Sequence, residues 1–107
     1  MKSNSFQSYI EAQLEDIDGL KFRRMFGGFG LYAGELFFGI LHRERLYFRI
    51  NDETRKRYEK AGMDVFITPA RQKTLKNYYE VPLEVIEQRN ELAEWAREAV
   101  AAAKADD

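Results

Sequence analysis

The sequence predicts an α+β domain in which helices pack on an antiparallel sheet, a four-stranded meander plus two further short strands, in the order α-β4-α-β2-α. Three observations carry this. Helical spacing marks one face at each end of the chain, through Phe6, Tyr9, Ile10, Gln13, Leu14 and Ile17 and through Leu92, Trp95, Ala96, Ala99, Val100 and Ala103. Between them, residues 20–50 are dense in aromatic and aliphatic side chains and are broken at short intervals by glycine or charge, the pattern of consecutive hairpins. A length of 107 residues supplies one core, so 1–107 is read as a single domain.

Each element follows from its own residues. Helix one has Ser3 or Ser5 as N-cap and ends at Asp18-Gly19. Residues 20–32 form two strands joined at Gly27-Gly28, and a turn at Ala33-Gly34-Glu35 leads to a third strand at 36–41. The polar stretch 42–45 then leads to a fourth at 46–50. Asn51 or Asp52 caps a helix through about Ala61, with Gly62 at its left-handed C-terminal position. Val65, Phe66 and Ile67 make a short strand, 68–76 reads as an exposed loop around Pro69, and 77–81 is the last strand. Pro82 opens a helical turn at 83–87, and Asn90 caps the terminal helix.

Strict alternation in the meander points Phe29, Leu31, Leu36, Phe38, Ile40, Leu46, Phe48 and Ile50 toward the helices. The opposite face then carries Gly28, Gly30, Tyr32, Phe37, Gly39, Tyr47 and Arg49, small residues and aromatics where a solvent-facing sheet is normally polar. Tyr32, Phe37 and Tyr47 are therefore the expected protein interface. A symmetric homodimer is the expected way to bury them.

Composition removes whole classes of chemistry. The absence of Cys excludes disulfides, thiolate metal sites and a cysteine nucleophile, and a single histidine, His42, argues against zinc. Neither a cofactor nor catalysis is expected. No apolar run approaches the ~18 residues of a membrane span, so a cytoplasmic protein with no membrane contact is expected. Gly28-x-Gly30-x-x-Ala33 matches the dinucleotide fingerprint by its letters, but a strand rather than a helix follows it. Gly27, Gly28 and Gly30 are accordingly read as structural, two at a tight turn and one on a crowded sheet face.

The net charge of −1 conceals segregation: residues 1–20 carry −3, 21–76 carry +7 and 77–107 carry −5. Within the basic segment 43–76, Arg55, Lys56 and Arg57 on helix two, with Arg71, Lys73 and Lys76 in the loop, form the candidate phosphate-contacting patch. Asp52, Glu53 and Glu59 oppose that run, and a pI of about 5.9 lies far below the ~9 of dedicated nucleic-acid binders. At most weak nucleic-acid binding is expected.

The run Arg24-Met25-Phe26-Gly27-Gly28-Phe29-Gly30-Leu31-Tyr32, with Gly34 and Phe37-Phe38-Gly39 after it, resembles the N-terminal domain of the TfoX/Sxy competence regulators. Leu46-Tyr47-Phe48, Tyr78-Tyr79-Glu80-Val81-Pro82 and then Leu92, Trp95 and Ala96 extend the resemblance over nearly the whole chain. The resemblance implies an α+β fold and a non-enzymatic regulatory role exercised through protein contacts. Full-length members regulate DNA-uptake competence genes together with a cyclic-AMP-dependent transcription activator, so a partner in the transcription machinery is expected. They also carry a C-terminal helical domain, expected here to be absent, and the family defines no catalytic residues to transfer.

Overall fold

The computed structural model describes residues 2–25, 27–68 and 74–105, with side chains from residue 5 onward. These residues run α1 (Lys2–Gln13), β1 (Leu20–Met25), β2 (Gly28–Ala33), β3 (Leu36–His42), β4 (Arg45–Arg49), α2 (Asp52–Lys60), β5 (Val65–Ile67), β6 (Thr74–Glu80), α3 (Leu83–Ile86) and α4 (Arg89–Ala105). The strands form one sheet in the order β1-β2-β3-β4-β6-β5, with every neighbouring pair antiparallel. The α+β class and the meander are as expected, and the chain closes with two helices where the predicted order has one.

Turns and caps explain most of the element boundaries. Gly34, at φ +65°, forms the β2–β3 turn, and its N–H donates to the Gly19 carbonyl at 2.9 Å. This ties the start of the sheet to that turn. The β3–β4 loop consists of Arg43 (φ +53°) and Glu44 (φ +61°), the two left-handed positions of a type I′ turn, which Asn-Gly normally occupies. Asn51 caps α2: its Oδ1 accepts from the N–H groups of Glu53 and Thr54 at 2.9 and 2.8 Å, while Thr54 Oγ1 accepts from the Asn51 N–H at 2.9 Å. Gly62, at φ +79°, follows the C-terminal end as predicted.

Other boundaries differ from the sequence reading. α1 begins at Lys2, which places Ser3 and Ser5 inside the helix, and α4 begins at Arg89, so Asn90 is already helical. β6 begins at Thr74, making the end of the predicted loop a strand, and Thr68 is buried. Pro69 and the rest of 69–73 lie outside the described residues.

The main core fills the space between sheet and helices. Ile10 of α1, Leu14 just past its end, Leu31, Phe38 and Phe48 of the sheet, Tyr58 of α2 and Leu92 of α4 are all essentially inaccessible to solvent. Ala96, Ala99 and Ala103 line the buried face of α4, small enough for the helix to lie close on β3 and β4. Tyr9, expected on the buried face of α1, is 42 % exposed. The stripe that reaches the core is the narrower Phe6-Ile10-Leu14-Ile17 row, and Tyr9 falls at its margin.

β3 does not alternate strictly. Opposite β2, the pairing passes from Leu31↔Gly39 to Tyr32↔Phe37, so Phe38 is the extra residue of a bulge. Phe38 and Gly39 therefore both belong to the helix side, Ile40 turns to the opposite face, and Leu41 joins the main core. This reverses the predicted positions of Gly39 and Ile40, because one extra residue flips every side chain after it.

The opposite face has a small core of its own. Ile40, Phe66 and Tyr78 are buried there, with Phe37, Tyr47 and Leu75 packed around them. Between β5 and β6 the register jumps from Val65↔Tyr79 to Phe66↔Leu75, leaving residues 76–78 without counterparts on β5. The pair bends at this point, and Phe66 meets the rings of Tyr47 and His42 across the sheet, at 4.8 and 5.7 Å between centroids.

Candidate interaction face

On the sheet face away from the helices, three rings stand in a row. Tyr32 of β2 lies 5.3 Å from Phe37 of β3, and Phe37 lies 5.1 Å from Tyr78 of β6. A guanidinium closes each end of the row, Arg23 over Tyr32 at 4.9 Å and Arg49 over Tyr78 at 5.7 Å. Such contacts combine dispersion with attraction between cation and ring quadrupole, and successive rings are tilted by 34° and 31°. The Tyr78 hydroxyl donates to the Phe37 carbonyl at 3.3 Å. Burial pushes that hydroxyl above the ordinary tyrosine range, partly opposed by Arg49, so it stays protonated at neutral pH.

The three aromatics singled out in the sequence are all half-buried, but the fold treats them differently. Tyr32 and Phe37 belong to the row. Tyr47 is packed edge-on against Phe66, and burial, followed by the Glu80 carboxylate, raises its hydroxyl pKa. Glu80 is itself held by Arg45 at 3.0 Å. At the outer end, Glu35 reaches Lys21 and Arg23 at 3.3 and 3.7 Å, but it is 84 % exposed and contributes little beyond orientation.

The glycines serve this geometry. A Cβ on Gly30 would stand 3.1 Å from Phe37 Cε1, 3.2 Å from Tyr32 Cε1 and 2.6 Å from Met25 Sδ, so the Met25 side chain and both rings would have to shift to admit it. At Gly28 the same atom would meet the Leu41 carbonyl oxygen at 2.1 Å. Gly27 supplies the left-handed residue of the turn, at φ +77°.

Of the candidate basic patch, the structure pairs Arg55 and Arg57. Arg55 is held by Asp52 at 3.0 Å and by Glu59 at 4.0 Å. Arg57 pairs with Glu98 and lies 3.9 Å over the Trp95 ring, which fastens α2 to α4. Lys56 and Lys76 are exposed, whereas Arg71 and Lys73 lie outside the described residues. Among the described residues, no group of three His, Asp or Glu side chains is placed to hold a metal ion, and no helix is long and apolar enough to cross a membrane.

Sequence reasoning reached Tyr32, Phe37 and Arg49 but not the third ring. Its signal is the Tyr78-Tyr79 pair: adjacent strand residues face opposite ways, so one tyrosine must leave the main core. The two-residue Arg43-Glu44 turn is shorter than the four-residue stretch 42–45 expected between these strands, because His42 and Arg45 pair. An aromatic row flanked by guanidinium groups can accept an apolar side chain together with a carboxylate.

No curated protein matches the chain. The family model described as the TfoX N-terminal domain matches residues 12–103, which include every strand of the sheet and all three rings of the row, and the chain therefore belongs to the TfoX N-terminal domain family.

Proposed function

We propose that the domain is a non-enzymatic regulatory module that acts by docking a protein partner of the transcription machinery on the Arg23-Tyr32-Phe37-Tyr78-Arg49 row. The observation that carries this reading is the row itself: half-buried Tyr32 and Phe37 and buried Tyr78 between two guanidinium groups, on the sheet face that no described helix covers. Family membership supports the regulatory context. The occupant that suits the row is an apolar side chain with an acidic neighbour. A second copy is less suited, because a two-fold axis would bring the same guanidinium groups toward one another.

The test compares the native domain with Phe37→Glu and Tyr32→Ala, each first checked for a native circular dichroism spectrum. Binding to the purified cyclic-AMP-dependent transcription activator is titrated at physiological salt, and self-association is followed by sedimentation at micromolar concentration. Activator binding that weakens at least tenfold in both variants is expected. The reading is overturned by native protein that does not bind the activator, or by variants that bind it as well as the native chain. A native dimer broken by Phe37→Glu would move the site from a heterologous partner to a second copy.

A further inference from the structure

Away from the aromatic row, the β3–β4 turn separates two cavities. The larger, about 330 Å³, is lined by His42, Arg43, Arg45, Tyr47, Phe66 and Thr68. The smaller, about 130 Å³, lies between this turn and the β1–β2 turn and is lined by Arg24, Gly27, Gly28, His42, Arg43 and Glu44, among others. His42 and Arg43 border both.

The charges around them are unequal in their commitments. Arg45 is neutralised by Glu80, and His42 and Thr68 are already engaged within the chain. Arg24 lies 5.7 Å over the Phe29 ring. Among the described residues neither Arg24 nor Arg43 has a carboxylate within ion-pair distance, although both line the same small cavity. Glu44 is the single acid in that lining. The cavity adjoins Gly27, at φ +77°, where nothing lies within 4 Å of the position a Cβ would take. At ~30 Å³ per water it has room for about four water molecules, hence for one tetrahedral oxyanion.

The backbone makes a second, independent point. Arg43 occupies a left-handed position where Asn or Gly would be relaxed, and a strained residue of this kind persists only when its surroundings over-determine it. Here the strain carries a guanidinium to the ridge between the two cavities.

We propose that Arg24 and Arg43 form a binding site for a phosphate group, free or as a small phosphate monoester, between the β1–β2 and β3–β4 turns. Arginine suits this because its planar fork of N–H donors matches a phosphate edge. The proposal does not depend on the docking role of the aromatic row, which is made of other residues.

The test uses the thermal midpoint of the whole chain with inorganic phosphate or glycerol 3-phosphate, against sodium chloride at matched ionic strength. Three proteins are compared: native, Arg24→Gln and Arg43→Asn. Asn relaxes at a left-handed position, so Arg43→Asn should melt higher than native without ligand yet lose the ligand's effect. The native chain should gain a saturable rise in midpoint from at least one probe, with the apparent dissociation constant weakened at least tenfold in each variant. A tighter response to the ester assigns an esterified ligand, and a tighter response to phosphate assigns the free ion. No rise beyond the chloride control, or a rise undiminished in Arg43→Asn, overturns the proposal.

Discussion

Gly28→Ala tests how closely the first two hairpins are joined. A methyl carbon on Gly28 would sit 2.1 Å from the Leu41 carbonyl oxygen and 3.2 Å from His42 Cα, obstacles that belong to backbone and cannot rotate away. Restoring an ordinary contact of about 3.5 Å requires β2 and β3 to part by more than 1 Å at this end. The nearest register pair is Phe29↔Leu41, and a backbone hydrogen bond stretched by 1 Å beyond ~2.9 Å is lost. Two such bonds cost about 1 kcal/mol each, and displacing the buried Leu41 side chain adds a further ~1 to 2 kcal/mol. Against this, replacing a strand glycine lowers unfolded-state entropy and returns ~0.5 to 1 kcal/mol. The net loss is about 2 to 4 kcal/mol, a large part of the ~5 to 15 kcal/mol that holds a small domain folded. At ~4 to 8 °C per kcal/mol, the midpoint should fall by roughly 8 to 30 °C.

The internal control is Gly27→Ala. Nothing lies within 4 Å of a Cβ there, so the substitution costs only its left-handed backbone, about 1 kcal/mol. Thermal and urea unfolding followed by circular dichroism would rank the two variants. The steric argument is refuted if Gly28→Ala unfolds within about 0.5 kcal/mol of native, or if Gly27→Ala proves the more damaging.

Three more outcomes follow from the same geometry. Replacing Arg43-Glu44 by Asn-Gly should stabilise the chain by about 1 to 2 kcal/mol in urea titration, because both positions are left-handed and neither native residue favours that backbone. Burial pushes the Tyr58 hydroxyl far above its ordinary value, with Arg57 opposing, so the folded state keeps a proton that the unfolded chain loses near pH 10. The sign is that stability is full below pH ~10 and falls above it by on the order of 1.4 kcal/mol per pH unit from this group; Tyr58→Phe should shallow that decline, and the phenolate absorbance of Tyr58 should emerge only with unfolding. At physiological salt, neither a labelled duplex nor a labelled single strand should bind with sub-micromolar affinity, since Arg55 and Arg57 are already paired; tighter binding to either would refute this expectation.

What the sequence made legible was periodic, and what it hid depended on single residues out of period. The Phe6-Ile10-Leu14-Ile17 and Leu92-Trp95-Ala96-Ala99 stripes fix their helices by repetition, and Asn51, Gly34 and Gly62 each act within one turn of chain. The bulge at Phe38 has no such local sign: Phe37-Phe38-Gly39-Ile40 fits strict alternation as well as it fits the observed pairing. What decides is the joint register of β3 with β2 and β4, a non-local property. The same holds for the cover of the second face. An aromatic face in need of burial was visible, but that Phe66 and Leu75 would supply part of the cover depends on residues 76–78 having no counterparts on β5.

That cover changes the size of interface the row can support. A whole aromatic side chain buries ~150 to 250 Å², so half-buried Tyr32 and Phe37 together leave about that much for a partner, against the ~800 Å² per side of a standard interface. Under the proposed docking role, the row would be an anchor within a larger contact rather than a complete one. Binding energy concentrates in such central, well-held rings, where a single truncation commonly costs more than 2 kcal/mol. Phe37, stacked between Tyr32 and Tyr78 and fixed by the Tyr78 hydroxyl at its own carbonyl, is the position where one substitution should remove most of the affinity.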